Sequence, residues 1–269
     1  MSLLRDDHVY SFSQLTEFNN CPYSFCMNKI DHEEQSSNIF AETGTLIHDL
    51  LDQWAKGKLS VEELPDEYCK RFPNEVITPA PRMLAAKGYE EKNFNLGLDY
   101  FRNFDQFRGF KIIGTETKFK TDIEGRPFVG VVDMVMQDEK TGEMIILDHK
   151  SKSLSSFRSS EEEMYKQQYV YSKYFFEEYG RYPDRLMFNL FKEGGLKQER
   201  PFRKEDYDET IKWAIDTIER IESYDYLDFI GECKEQPKDN QPDWFCTQLC
   251  SFRKLCPNGQ KESKPRRKK

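Results

Sequence analysis

Residues 129–150, VGVVDMVMQDEKTGEMIILDHK, predict two neighbouring β-strands that decide the fold. The first strand, within 127–137, is apolar on both faces except at Asp133, a pattern typical of a central strand that is covered on both sides. A polar turn then leads to a second apolar strand within 143–150. An acidic side chain therefore interrupts a strand that is otherwise expected to be buried.

The second strand ends in Asp148, His149 and Lys150. Because side chains alternate along a strand, Asp148 and Lys150 are expected on one face and His149 on the other. A lone ionised carboxylate at Asp133 would cost several kcal/mol or shift its pKa until it is neutral. One interpretation is a buried Asp–Lys ion pair at a strand end. Two acids on adjacent strands favour a second interpretation, a site for a hard cation such as Mg²⁺ or Mn²⁺. The lysine beside that cation would orient water or offset phosphate charge.

The rest of the sequence predicts an α/β fold with a central mixed sheet between helices. Ser11 and Gln14 have the spacing of a capping box for a helix that ends near Asn20. Four prolines predict an irregular connection over 60–82. Periodicity predicts further helices over 44–56, 83–107, 161–179 and 204–223, and further strands over 111–119 and 184–192.

The composition bounds the class of protein. With 269 residues, 37% hydrophobic and 33% charged, the chain is too apolar for disorder throughout and is expected to form a single globular domain over 9–258. No stretch approaches the roughly 20 apolar residues of a membrane span, and acids near the start argue against a signal peptide, so a cytoplasmic protein without a membrane partner is expected. The net charge of −8 hides a basic, disordered tail at 259–269, which could attract a polyanion or merely aid solubility.

The cysteines predict a metal or cluster site. Seven is an odd number, and no export signal is expected, which argues against a complete disulfide framework. Cys246, Cys250 and Cys256 form a C-x3-C-x5-C triplet, and Cys21 is the natural fourth ligand. Four thiolates suit Zn²⁺ or an iron–sulfur cluster equally well. Either would order residues 231–258 and join them to the N-terminus. Cys26, Cys69 and Cys233 are interpreted as reduced structural thiols, with Cys26 as an alternative to Cys21 for the fourth ligand.

These motifs together resemble a known family. The G-x-x-D strand at 130–133 followed by D-x-K at 148–150 is similar to the PD-(D/E)xK nuclease superfamily. A G-x-x-x-H helix at 44–48, a Q-x-x-x-Y helix at 167–171 and the cysteines resemble its RecB-like branch with an iron–sulfur cluster. That branch includes the exonucleases of CRISPR adaptation and the nuclease domains of AddB-type helicase-nucleases.

The resemblance implies a restriction-endonuclease-like core and a role for each matching residue. Read without it, His48 is more simply a core histidine, and Gln167 and Tyr171 are packing residues. The resemblance implies instead that Gln167 and Tyr171 act near the metal on a DNA strand, and it associates Glu116 loosely with the metals. The implied metal ligands are His48, Asp133, Asp148 and the backbone carbonyl of His149, with Lys150 as the catalytic lysine and a 4Fe-4S cluster on Cys21, Cys246, Cys250 and Cys256.

The expected function is a metal-dependent DNA exonuclease that hydrolyses phosphodiesters of single strands or duplex ends, in recombination, repair, phage replication or CRISPR adaptation. DNA would approach through a local basic and aromatic channel that includes Arg158, Lys166 and the tail. A helicase or another recombination or adaptation protein would be a separate chain. The alternative is a non-catalytic DNA-binding or assembly subunit that keeps the nuclease scaffold and the cluster. An iron–sulfur redox protein is disfavoured because no Gly-rich nucleotide loop is present.

Overall fold

The structure is a computed structural model that describes residues 8–224 and 244–260. Cys233, the remainder of 231–243 and the basic tail from 261 onward lie outside the described residues. Within the described part of the chain, no helix combines the length and the apolar character that a membrane span requires.

The chain divides into two compact units. The sheet unit comprises Ile39–Thr121 and Val129–Lys212, and the terminal unit holds the described residues of both chain ends together with Asp122–Phe128. The single domain expected over 9–258 stays a prediction.

The terminal unit is built from both ends of the chain. Asn19 donates to the hydroxyl of Thr217 over 2.9 Å, and the amide of Ser36 donates to the carbonyl of Ser251 over 2.9 Å. These bonds tie the N-terminal helices to the C-terminal segments. The unit contains β1 (Tyr10–Ser11), α1 (Phe12–Asn20), α2 (Pro22–Lys29), α10 (Trp244–Gln248) and most of α9 (Lys204–Ser223).

The sheet unit contains a mixed sheet. Its strands are β2 (Phe110–Ile123), β3 (Arg126–Asp138), β4 (Met144–Lys150), β5 (Arg185–Leu190) and β6 (Leu196–Pro201). The strand order is β3-β4-β5-β6, and β2 also pairs with β3. The β3–β4 and β5–β6 pairs are antiparallel, whereas β4 and β5 run parallel.

One face of this sheet packs on three helices. Met134, Leu147 and Met187 are partners in the sheet register, so their side chains share a face. All three are buried in one apolar cluster with side chains of α3 (Ile39–Ala55), α4 (Leu64–Glu75) and α6 (Tyr89–Arg102). The stripe of leucines and isoleucine on α3 thus lies against the sheet and holds that helix in place.

The opposite face carries α7 (Leu154–Arg158) and α8 (Glu161–Tyr179). The ring of Phe188 packs against Phe157 and Tyr165, with centroids 5.0 and 4.9 Å apart. The amide of Gln168 donates to the carbonyl of Met187 over 2.6 Å and fixes α8 on β5. The expected α/β fold, a mixed sheet with helices on both faces, is confirmed.

Periodicity located most elements, and the differences have physical causes. The helices at 161–179 and 204–223 are confirmed, and Gly180 ends the first of them at φ 69°. The prediction of an irregular connection over 60–82 is wrong, because Leu64–Glu75 form α4. Pro65 lies in the first turn of this helix, where proline is tolerated, and Pro73 lies in its last turn. The long helix over 83–107 is also wrong. The chain forms two helices there, α5 (Arg82–Ala85) and α6, and Gly88 between them adopts φ 66°.

The capping box at the start of α1 is wrong as well. Ser11 is the N-cap residue, but its hydroxyl pairs with that of Ser13 and makes no cap hydrogen bond. The side chain of Gln14 donates to the carbonyl of Val9 instead of returning to Ser11.

Helix packing in the sheet unit gives a stability prediction. A methyl group at Gly97 would overlap the buried ring and hydroxyl of Tyr68, so Gly97→Ala is expected to lower the free energy of unfolding by about 1–3 kcal/mol. Gly44, also within a helix, would meet only ordinary contacts, so Gly44→Ala is expected to raise it by up to about 1 kcal/mol. Urea unfolding of both variants measures the contrast. An equal rise in both would contradict the packing.

Candidate active site

The backbone of His149 joins two of the predicted metal ligands. Its amide donates to Asp133 Oδ2 over 2.8 Å, and its carbonyl accepts from His48 Nε2 over 2.9 Å. Met134 and Leu147 are the final pair at one end of the β3–β4 ladder, and Asp133 and Asp148 are the next residues beyond that pair. The strand register therefore brings both acids to one place on the sheet.

His48 completes the cluster from α3. It lies next to the buried Ile47, so the stripe that packs α3 on the sheet also aims the imidazole at the strand ends. Its Nδ1 is 3.4 Å from Asp133 Oδ2 and 3.8 Å from Glu116 Oε1. Within the described residues, His48, Glu116 and Asp133 form the one group of three potential donors whose ligand atoms all lie within 4.8 Å of each other.

Glu116 reaches this cluster from an unusual backbone conformation. It has φ 43° within β2, in the left-handed region that side-chain-bearing residues seldom adopt. Such strain persists only where the surrounding structure imposes it, and it is common at functional sites. The structure thus places Glu116 beside His48, although no sequence signal marks this conformation.

Lys150 and Asp148 form an ion pair on the opposite side of the strand from the His149 ring. Lys150 Nζ is 2.8 Å from Asp148 Oδ2 and donates to Gln167 Oε1 over 3.0 Å. The amide nitrogen of Gln167 in turn donates to the hydroxyl of Tyr171 over 3.2 Å. The structure therefore brings together Asp148, Lys150, Gln167 and Tyr171 in one chain of polar contacts.

Close packing holds the far end of this chain. A Cβ at Gly130 would come within 2.5 Å of the Phe119 ring and 2.9 Å of the Tyr171 ring. The absence of a side chain at Gly130 therefore gives Tyr171 its place over β3. The phenyl ring of Phe119 packs edge-on against Tyr171, with centroids 5.0 Å apart.

Sequence reasoning missed Asn189, which supports the His149 side chain. Asn189 is the register partner of His149 on β5, and both are buried. The Asn189 amide donates to His149 Nδ1 over 2.9 Å and to the hydroxyl of Tyr100 over 2.9 Å. Burial, together with the nearby cations His48 and Lys197, holds the pKa of His149 well below its usual value, so its ring is neutral. A buried polar residue in an otherwise apolar strand was the available signal.

The electrostatics of the cluster favour a cation. Burial and repulsion from Asp148 raise the pKa of Asp133 to about 7, although His48 opposes the shift. Burial tends to lower the pKa of His48, but the carboxylates of Asp133, Glu116 and Asp148 outweigh it, so the pKa is raised. Burial likewise tends to lower the pKa of Lys150, and Asp148 with Asp133 raises it overall. The acids thus crowd together enough to retain a proton that a metal ion could replace.

The donor set fits a hard divalent cation. Carboxylate oxygens are the ligands that Mg²⁺ and Mn²⁺ prefer, and an imidazole is acceptable to Mn²⁺. Asp133, Glu116 and His48 could hold such an ion, with Asp148 and the carbonyl of His149 beside them. The ligand roles predicted from the sequence stay predictions.

Three cysteines of the terminal unit lie around one cavity. Cys21, Cys246 and Cys250 line a cavity of about 530 Å³ together with polar side chains of α1 and α2. Burial raises the pKa of the Cys250 thiol, and Cys21 and Cys256 add to the shift. No three of these four thiols lie within 4.8 Å of one another. Cys26 is fully buried in α2, and no disulfide links the cysteines that the structure describes.

Comparisons with known proteins identify the family. The PD-(D/E)XK nuclease superfamily matches residues 9–257, nearly the whole chain, and the chain belongs to this superfamily. No curated protein matches it significantly.

Two solved structures are similar to it at low identity. One is a protein from Eubacterium rectale, provisionally described as an exonuclease, with 12% identity and a TM-score of 0.49 over 97% of this chain and 91% of that chain. The other is SSO0001, with 16% identity and a TM-score of 0.33 over 79% of this chain and 96% of that chain. The family assignment rests on the family match alone.

The raised pKa of Asp133 gives a pH prediction for the metal-free protein. Its folded pKa of about 7 lies above the unfolded value of about 3.9, so its favourable contribution to folding is complete below pH 4 and is lost as the pH rises through 7. In chelator, the free energy of unfolding of the wild type is expected to fall over this window relative to Asp133→Asn. Urea unfolding at several pH values measures it, and parallel profiles would contradict the shift.

Proposed function

We propose that the protein is a divalent-metal-dependent deoxyribonuclease, acting as an exonuclease on single strands or duplex ends. The observation that carries this proposal is the meeting of His48, Glu116 and Asp133 beside the Asp148–Lys150 ion pair. Membership of the nuclease superfamily supports the reaction class. A catalytically inactive DNA-binding subunit would be expected to lack a ligand or the lysine, and both are present here.

The residues of the chain divide the work of phosphodiester hydrolysis. Asp133, Asp148, Glu116 and His48 would hold Mg²⁺ or Mn²⁺, which when bound supplies Lewis-acid activation of water and of the phosphate. Lys150 orients the attacking water and offsets negative charge that develops on the phosphate. Asp148 and Gln167 hold the lysine amine from two sides, so it is oriented before the substrate arrives. Tyr171 fixes the amide of Gln167 in the orientation that presents its oxygen to Lys150.

DNA is the proposed partner. Arg158 is exposed at the end of α7, and Lys166 precedes Gln167 on α8, so both are candidates for backbone contacts beside the site. Assignment to the RecB-like branch, a separate helicase or adaptation partner, and a role in recombination, repair, phage replication or CRISPR adaptation all belong to this proposal.

The terminal unit is proposed to hold a 4Fe-4S cluster on Cys21, Cys246, Cys250 and Cys256. Its support is the cavity that three of these thiols line. Four thiolates suit a 4Fe-4S cluster as well as Zn²⁺, and the preference for iron rests on the resemblance to the iron–sulfur branch of these nucleases.

The catalytic assignment predicts the effect of two substitutions. Lys150→Met and Asp148→Asn are expected to slow the cleavage of end-labelled DNA by about 100-fold or more, because each removes a charge that orients water or the cation. Lys140→Met, in the exposed turn at the other end of β4, is the matched control and should cleave normally. Product sizes over time, on single and double strands with Mg²⁺, Mn²⁺ or chelator, measure both rate and mode. Wild-type rates in both site variants, or cleavage in chelator, would contradict the proposal.

The cluster assignment has its own test. Protein purified without oxygen is expected to be brown, to contain iron and inorganic sulfide in similar amounts, and to bleach with oxidant. Cys250→Ser should lose the colour and destabilise the terminal unit, whereas Cys69→Ser on α4 should keep it. A colourless protein that contains stoichiometric zinc would contradict the cluster and indicate a zinc site instead.

A further inference from the structure

Lys192 lies in an aromatic cage near the end of β5. It is part of the short 3₁₀ turn Phe191–Glu193 that follows the strand. Its Nζ stands 4.7 Å from the centroid of the Phe40 ring and 5.7 Å from that of the Tyr89 ring. The amine also donates to the Tyr89 hydroxyl over 3.0 Å. We name Lys192, Phe40 and Tyr89 the Lys192 cage.

The cage holds a positive charge without a negative partner. Among the described residues, no carboxylate forms an ion pair with Lys192, and burial alone lowers its pKa to about 8. Burial raises the pKa of Tyr89 to about 12, so the hydroxyl that accepts from the amine is neutral. By contrast, Lys197 on the neighbouring strand pairs with Asp105 at 3.1 Å. A half-buried amine of this kind is costly until an anion arrives beside it.

The cage shares a helix face with the candidate active site. Phe40, Gly44 and His48 follow one another at four-residue intervals on α3, so they lie on one side of the helix. Eight residues of helix place Phe40 about 12 Å from His48. Gly44, between them, faces the side chain of Ser151, the residue after Lys150.

The strand register also relates the cage to Lys150. Leu190, two residues before Lys192, is the register partner of Lys150 at the parallel ends of β4 and β5. The ends of β4 and β5 therefore bring Lys150 and the turn that carries Lys192 to the same end of the sheet, and Phe40 of the cage shares a face of α3 with His48.

We propose that the Lys192 cage is a nucleotide subsite that holds the DNA strand a short distance from the scissile bond. The Lys192 ammonium and the Tyr89 hydroxyl bind a backbone phosphate, and the ring of Phe40 or Tyr89 stacks on a base. Stacking on a side chain requires an unpaired base, so the subsite selects a single-stranded segment. This inference rests on the proposed nuclease function and deepens it by naming the strand that enters the site.

The first arm of the test measures binding without cleavage. A fluorescein-labelled single-stranded oligonucleotide is titrated in chelator at several salt concentrations. Lys192→Met should reduce the slope of log K against log salt by about 0.7, the value for one lost phosphate contact. Phe40→Leu should weaken binding by about fivefold or more with the slope unchanged, because it removes stacking but no charge. Lys140→Met controls for the general loss of one positive charge.

Folding and length dependence provide further readouts. Lys192→Met should unfold at the same or higher urea concentration than the wild type, since it removes an uncompensated charge and keeps the apolar stem. With Mn²⁺, it should raise KM for a long single strand by about fivefold or more without a matching fall in kcat. A trinucleotide that ends before the cage should show no such change.

The outcomes separate the subsite from the enzyme. If the wild type cleaves but Lys192→Met and Phe40→Leu behave like Lys140→Met, the subsite is refuted and the nuclease proposal stands. An equal rise in KM on the trinucleotide and the long strand would also refute it. If the wild type neither binds nor cleaves DNA, the proposed function fails and the subsite fails with it.

Discussion

The candidate site depends on two hydrogen bonds of one peptide segment, the main chain of His149. Its amide binds Asp133 and its carbonyl binds His48, so a single residue of β4 connects a neighbouring strand with a helix. The buried imidazole of His149 also holds this residue in place, because it accepts a hydrogen bond from the Asn189 amide. Main-chain groups cannot be altered by ordinary substitution, which makes the connection robust to changes in the side chains around it. It also explains why the site needs α3, β3 and β4 in fixed positions.

Electrostatics make this arrangement a compromise between stability and chemistry. Burying Asp133 near Asp148 raises the pKa of Asp133, and in the metal-free protein that crowding opposes folding at neutral pH. Lys150 relieves part of the repulsion through its contact with Asp148. The remaining excess of negative charge is what a divalent cation would neutralise. The Lys192 cage shows the opposite imbalance, an amine without an acid, at the edge of the sheet where an anionic strand would lie.

Alternation along β4 was enough to place Asp148 and Lys150 together, because strand geometry has a fixed period. The approach of His48 and Glu116 was not readable from residue patterns, since it depends on how α3 packs on the sheet and on a left-handed residue within β2. The resemblance to a family supplied His48, and geometry then placed Glu116 closer to it than any pattern indicated. Asn189 and Lys192 escaped notice because a single polar residue near a strand end has many uses. The prolines of α4 were misinterpreted as breakers, because Pro65 lies in the first turn of the helix, where it is tolerated, and Pro73 lies in its last turn.

The central claim is that Asp133, Glu116 and His48 form one site for a divalent cation. Calorimetric titration of Mn²⁺ into chelator-treated, desalted protein tests it directly, with the exposed turn residue Glu139 as a control. We expect the wild type and Glu139→Gln to bind Mn²⁺ with the same affinity, and Asp133→Asn to bind it at least tenfold more weakly, which is about 1.4 kcal/mol. Equal affinity in all three proteins, or no binding by the wild type, would contradict a cation site at these residues.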